Sequence, residues 1–367
     1  MKFILVAGAR PNFMKIAPIM AAFASRQASM DGFTCTLVHT GQHYDRSMSD
    51  DFFSELGIPQ PDINLAVGSG SHAEQTARIM VAFERVCLDL KPDWVVVVGD
   101  VNSTLACSIT AKKLGIKVAH VEAGLRSRDM SMPEEINRLC TDAVSDLLFT
   151  TDQIANDNLI QEGVPPTRIE FVGNTMIDTL LRHIDRARGT PLPEGLEEKE
   201  YAVVTLHRPS NVDSPGALGP LFRTFQRISR SIPVVFPVHP RTHRNLESFG
   251  LLASQPNGIR LIDPLSYLPF IGLVARSRIV LTDSGGIQEE TTVLGIPCIT
   301  LRENTERPVT CSIGTNILAG TDPARILQAA SRVLSNSVRP AGIPAKWDGQ
   351  AAERIVTRLL HEHPVPC

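Results

Sequence analysis

The chain has 367 residues, 43% apolar and 20% charged, the make-up of a globular protein long enough for two domains. Lys and Arg number 36 against 39 Asp and Glu, so the net charge of −3 gives no broad attraction for nucleic acid or an anionic membrane. The seven cysteines (Cys35, Cys87, Cys107, Cys140, Cys298, Cys311 and Cys367) are odd in number, scattered and without a C-x-x-C. That argues against a disulfide framework and a structural zinc site, and fits reduced thiols in the cytoplasm.

In chain order, short β-branched runs alternate with turns and helical segments. Strands are predicted over Phe3–Ala7, Thr36–Thr40, Trp94–Val98, Val118–Val121 and Leu147–Thr150. The pattern restarts with Tyr201–Leu206, Val234–Val238, Ile259–Ile262, Ile279–Thr282 and Cys298–Leu301. Continuous apolar runs of this kind suit parallel strands covered by helices on both faces. Helices are expected over Ser103–Leu114 and Gly286–Leu294, each closed by a glycine. The first run ends at Gly8, too short for a signal peptide, and no stretch approaches the ~18 apolar residues of a membrane span. The reading is α/β, with two doubly wound parallel-sheet domains over residues 1–173 and 174–348. An amphipathic terminal helix follows in 349–367, with Ala352, Ile355, Val356, Leu359 and Leu360 at helical spacing.

Ligands of open parallel sheets bind beyond the carboxyl ends of the strands, so the polar residues there carry the information. After the first strand, Arg10 and Lys15 bring two cations to a helix start, where they oppose the helix dipole. They fit an anionic ligand or a plain solvated turn. Asp100 follows a four-valine run, as a turn residue or a functional carboxylate. Glu122 follows a buried strand directly. Glu134 lies four residues before Arg138, a spacing that fits a surface ion pair. If Asp100, Glu122 and Glu134 converge, they form an acid–base set. His207, beside Arg208, ends another strand. Ser284, Gly285 and Gly286 open a helix in a form that brings backbone N–H groups to a phosphate, with Glu290 further along it. Arg307 follows the last strand. There is no G-x-G-x-x-G, no Walker A and no H-E-x-x-H, which disfavours those NAD and ATP folds and gives no indication of a catalytic metal.

The motifs GARPNFMKIAP (Gly8–Pro18), TGQH (Thr40–His43), HVEAGLRS (His120–Ser127), MPEEINR (Met132–Arg138), DSGGIQEE (Asp283–Glu290) and TERP (Thr305–Pro308) occur in one order over almost the whole chain. In this the chain resembles the non-hydrolysing UDP-N-acetylglucosamine 2-epimerases. The resemblance implies a GT-B-like fold of two Rossmann-like domains, with the final helix packed back on the first. It implies inversion at C2 of UDP-GlcNAc to give UDP-ManNAc, by elimination of UDP to 2-acetamidoglucal and its re-addition, with no cofactor. It further implies a homodimer that supplies surface-polysaccharide precursors. Matched residue by residue, Arg10 and Lys15 line the site, Asp100, Glu122 and Glu134 are the acid–base carboxylates, and Arg138 lies beside them. His207 lies near the phosphates. Ser284, Gly285 and Gly286 cradle the diphosphate, Glu290 holds the ribose, Phe270 lies beside the uracil and Arg307 is on the substrate side. Gln42, His43, Arg208 and His239 match parts of an activating second UDP-GlcNAc site found in some members.

The chain also departs from the family pattern. Leu265 stands where other members carry Gln, the segment between Glu122 and Glu134 is shorter by about two residues, and His-Arg-Pro-Ser replaces His-Arg-Arg-Glu. These changes leave open a UDP-diacetamido-uronic acid as substrate. A hydrolysing 2-epimerase, a GT-B glycosyltransferase and a nucleotide-sugar sensor are the other readings. The three carboxylates argue against the last two.

Overall fold

A computed structural model describes residues 1–41, 55–254, 258–337 and 341–362. The chain divides into two compact units, Met1–Arg182 with Ala345–Cys367, and His183–Pro344.

The first unit holds β1 (Lys2–Ala7), β2 (Thr34–His39), β3 (Ile63–Asn64), β4 (Trp94–Val98), β5 (Lys117–Ala123), β6 (Leu147–Thr150) and β7 (Ile169–Phe171). All pair in parallel, in the order β3-β2-β1-β4-β5-β6-β7. Its helices are α1 (Arg10–Gln27), α2 (His72–Leu90), α3 (Asn102–Lys113), α4 (Pro133–Val144), α5 (Gln153–Gln161) and the start of α6 (Thr175–Arg188). The alternation of strand side chains feeds two layers. Ile4, Val6, Val95 and Val97 pack with Ile79 and Phe83 of α2 and Ala106 and Cys107 of α3. On β1, Phe3 instead packs against Phe23 of α1 in a tilted arrangement, ring centroids 5.1 Å apart.

The second unit carries β8 (Ala202–Thr205), β9 (Val234–Pro237), β10 (Ile259–Ile262), β11 (Ile279–Thr282), β12 (Cys298–Thr300) and β13 (Asn316–Leu318), again parallel, in the order β10-β9-β8-β11-β12-β13. Its remaining helices are α7 (Pro209–Val212), α8 (Pro215–Ile228), α9 (Pro240–Ser248), α10 (Tyr267–Ala275), α11 (Gly285–Leu294), α12 (Pro308–Ser312) and α13 (Pro323–Leu334). Val204, Phe236 and Leu281 face α8 and α13, while Val203, Val235 and Val280 face α10. Both sheets are therefore doubly wound. The short edge strands β3, β7 and β13 were not predicted. With two or three residues each, they carry no apolar run to read.

The chain returns to the first unit through α14 (Ala351–Leu360), which packs against α1 and buries Ile355, Val356 and Leu359. Asp178 of α6 accepts from the backbone N–H groups of Ala351 (3.2 Å) and Ala352 (2.7 Å), capping α14 from a distance. Burial raises the Asp178 carboxyl above its ordinary range, partly offset by these two donors. Gly173 lies beside this return. Its φ is +96°, and a Cβ there would overlap the carbonyl oxygen of Lys346. Gly173→Ala should cost roughly 2–4 kcal/mol, from left-handed strain plus overpacking. Urea unfolding checks this, and an unchanged midpoint would refute the packing argument. Among the described residues no helix is long and apolar enough to cross a membrane.

Candidate active site

In each unit several of the sequence-predicted residues lie at or near the point where the strand order reverses, the usual ligand position in such sheets. In the first unit that point lies between β1 and β4. Arg10 opens α1 just after β1, and Asp100 follows β4. The turn before α1 is held by Asn12. Its Oδ1 accepts from the N–H of Gly8 (3.2 Å) and Ala9 (2.9 Å), and its Nδ2 donates to the Val98 carbonyl (2.9 Å). Lys15 forms a buried ion pair with Glu122, the two side chains only 8% and 3% exposed. Glu122 has a φ of +72°, in the left-handed region that a non-glycine residue rarely adopts. It sits where the register of β5 against β6 shifts, between Val121 and Ala123.

Arg138 is fully buried and reaches Asp100 Oδ2 at 2.5 Å. It also pairs with Glu135, at 2.7 Å, and not with the Glu134 that the i,i+4 spacing suggested. The face of α4 decides this: Glu135 and Arg138 point inward, whereas Glu134 is exposed. Sequence reasoning missed Glu135. Its two oxygens also accept from the backbone N–H groups of Ser127 (2.9 Å) and Arg128 (2.8 Å), fixing the segment that follows β5. Burial alone would raise its carboxyl, but those donors and Arg138 hold it below the ordinary range.

In the second unit the reversal lies between β8 and β11, and His207 and Ser284 flank it. Asp283, fully buried and also missed from sequence, organises this point. It accepts from the backbone N–H of His207 (3.1 Å) and Arg208 (3.0 Å) and from Asn211 Nδ2 (3.1 Å). The His207 ring, 58% exposed, lies with Nδ1 2.9 Å from Asp283 Oδ1. With Nδ1 turned to Asp283, Nε2 is the nitrogen that can meet a ligand. Burial opposes ionisation of Asp283, but these donors keep its carboxyl below the ordinary range. Its presence inside the DSGG motif was the available signal.

Ser284 precedes α11, whose first N–H groups lack intrahelical acceptors. Gly285 has a packing reason of its own, because a Cβ would lie 2.5 Å from an Arg307 guanidinium nitrogen. Arg307 is buried against Glu289 (2.8 Å) and Glu306 (2.6 Å), and Glu306 also takes Arg302 at 2.7 Å. Glu290 is buried, with Tyr267 donating its hydroxyl at 3.1 Å, and its carboxyl is pushed up to about 8, chiefly by burial and further by neighbouring Glu289. Phe270 is half-buried on α10. Arg208 donates its Nε to the Asp283 carbonyl (3.2 Å), and exposed His239 caps α9 through its own Nδ1. Gln42 and His43 lie outside the described residues. Among the described residues no group of three His, Cys, Asp or Glu is arranged to hold a metal ion.

The family model described as UDP-N-acetylglucosamine 2-epimerase matches residues 26–360. A UDP-N-acetylglucosamine 2-epimerase of Methanococcus maripaludis is 41% identical over 98% of this chain and 99% of its own. The chain belongs to the UDP-N-acetylglucosamine 2-epimerase family. A UDP-2,3-diacetamido-2,3-dideoxy-D-glucuronate 2-epimerase of Pseudomonas aeruginosa is also 41% identical, over 98% of this chain and 99% of its own. The crystal structure of Methanocaldococcus jannaschii UDP-GlcNAc 2-epimerase in complex with UDP-GlcNAc and UDP matches with a TM-score of 0.89 at 39% identity, covering 99% of this chain and 100% of that one. The fold of this 2-epimerase family member is accordingly GT-B-like.

Proposed function

We propose that the protein is a non-hydrolysing epimerase that interconverts UDP-GlcNAc and UDP-ManNAc. The observation that carries this reading is the buried Lys15–Glu122 pair, with Glu122 on a left-handed backbone, together with an Asp100 held by Arg138. Such an arrangement fits carboxylates prepared for proton transfer. In this reading a carboxylate of the Asp100, Glu122 and Glu134 set takes the C2 proton. The electrons of that bond form C1=C2, and the C1–O bond breaks with its pair going to UDP. UDP then adds back to C1 of the bound 2-acetamidoglucal while C2 is protonated from the opposite face. The N–H groups of Gly285 and Gly286, Ser284 and His207 stabilise the departing diphosphate. Arg10 and Arg307 add positive charge, Glu290 holds the ribose, and Phe270 lies against the uracil. No cofactor takes part.

We place the enzyme in the cytoplasm as a homodimer that supplies surface-polysaccharide precursors. Activation by UDP-GlcNAc at Gln42, His43, Arg208 and His239 belongs to the same proposal. A strictly hyperbolic rate curve, with a reverse reaction indifferent to UDP-GlcNAc, would remove that part. The Pseudomonas aeruginosa relative, equal in identity to the Methanococcus maripaludis one, favours one second reading, in which the sugar is a UDP-diacetamido-uronic acid.

Proton NMR of the protein with each UDP-sugar in D₂O tests both readings. Deuterium at C2 in a mixture of the two UDP-linked epimers is the expected result with UDP-GlcNAc. Free UDP and free ManNAc would make the enzyme hydrolysing. Exchange only with the uronic acid would select the second reading.

A further inference from the structure

We propose that Asp142, together with His120, positions Glu122: one carboxylate grips both flanks of the left-handed residue and sets where the Glu122 carboxylate points. This role rests on the acid–base function proposed for Glu122.

A non-glycine residue at a φ of +72° carries about 1–2 kcal/mol of strain, and persists only where its surroundings over-determine it. Two tethers do so here. Two residues before Glu122, His120 Nδ1 lies 2.6 Å from Asp142 Oδ1. Two residues after it, the N–H of Gly124 donates to Asp142 Oδ2 at 3.1 Å. The irregular turn of β5 is thus closed at both ends on one side chain. That side chain belongs to α4, the helix that also carries Glu134, Glu135 and Arg138.

The protonation pattern follows from the partners. His120 Nε2 faces the Gly99 carbonyl at 2.8 Å, and a carbonyl only accepts, so Nε2 donates. Burial opposes ionisation of Asp142, yet His120 and Arg126 hold its carboxyl below the ordinary range. It therefore accepts from His120 Nδ1. Arg126 continues the chain, 2.7 Å from Asp142 Oδ2, and meets Glu162 at 2.8 and 2.6 Å. Asp142 is thus buried between His120 and Arg126 with both oxygens paired, and Arg126 reaches outward to the more exposed Glu162, which is how a buried carboxylate is tolerated. Gly99 directly precedes Asp100. One network thus joins the backbone beneath Asp100, the turn at Glu122 and helix α4.

The test uses Asp142→Ala and Asp142→Asn, with Glu162→Gln loosening the same chain beyond Arg126. The readouts are kcat, KM, UDP affinity by calorimetry, melting temperature and the crystal structure of Asp142→Ala. Asp142→Ala should lose about 100-fold in kcat, the cost of misplacing a reacting group by roughly an ångström, with UDP affinity unchanged within about twofold. Asp142→Asn should recover at least about a tenth of wild-type kcat. Its amide oxygen still accepts from Gly124, and its amide N–H can face His120 Nδ1. Glu162→Gln should lower the melting temperature and leave kcat unchanged. Wild-type kcat in Asp142→Ala would overturn the proposal. So would a kcat loss that merely tracks melting temperature across Asp142→Ala and Glu162→Gln, or a Glu122 that keeps its positive φ in the variant crystal. If Asp142→Ala does not fold, His120→Asn is read the same way. A kcat loss with UDP affinity intact supports the clamp, and wild-type kcat refutes it. Should the wild-type enzyme show no C2 exchange on either UDP-sugar, the function of Glu122 falls, and the variant crystal alone judges the clamp.

Discussion

Glu122→Gln should lower C2 exchange and epimerisation by about 10²–10⁴-fold, the range expected when a positioned acid–base group is removed. UDP binding should stay unchanged, because the groups proposed to hold the nucleotide are, apart from Arg10, in the second unit and none of them is Glu122. Stability should fall as well. Lys15 would be left buried without the carboxylate it pairs with, at a cost of roughly 3 kcal/mol. The double variant Lys15→Met/Glu122→Gln should regain part of that stability and none of the activity. Calorimetry with UDP, urea unfolding and exchange in D₂O separate the three effects. A Glu122→Gln protein with wild-type exchange would move proton transfer to Asp100 or Glu134. Equal loss of exchange and UDP binding would make Glu122 a binding residue.

The pH dependence of stability should be dominated in the second unit by Glu290. Its carboxyl is raised from an ordinary 4.5 to about 8 by burial first and the Glu289 charge second, against the donating Tyr267 hydroxyl. The folded state therefore holds a proton that the unfolded chain has already released. Stability from this group is complete below about pH 4.5 and is lost as pH rises through about 8, at up to ~1.4 kcal/mol per pH unit. Glu290→Gln keeps the size and an acceptor for Tyr267 but cannot ionise. It should flatten the fall between pH 5.5 and 8.5 and leave the variant the more stable protein at the alkaline end. Urea unfolding at three pH values decides this, and parallel slopes for the two proteins would sink it.

The sheets were legible because parallel strands buried on both faces read as continuous apolar runs, as in Trp94–Val98 and Ile279–Thr282. The site was legible in outline for a related reason: polar residues at strand ends have few structural excuses. What sequence could not supply was the partner of each charge. Arg138 has carboxylates three and four residues before it, and only the packing of α4 selects Glu135. Asp283 and Asp142 look like ordinary turn and helix residues until burial turns each into an acceptor for several donors. The φ of Glu122 leaves no trace in composition, since only glycine advertises a left-handed backbone.

The return of the chain through α14 bears on the order of events during synthesis. The unit that begins first cannot be finished first, because α1 and Asp178 wait for residues 351–360 to emerge. The second unit, continuous from His183 to Pro344, is translated in full before the last helix of the first unit. A released chain truncated after Pro344 should therefore display a protease-resistant second unit and a first unit whose α1 face is still open.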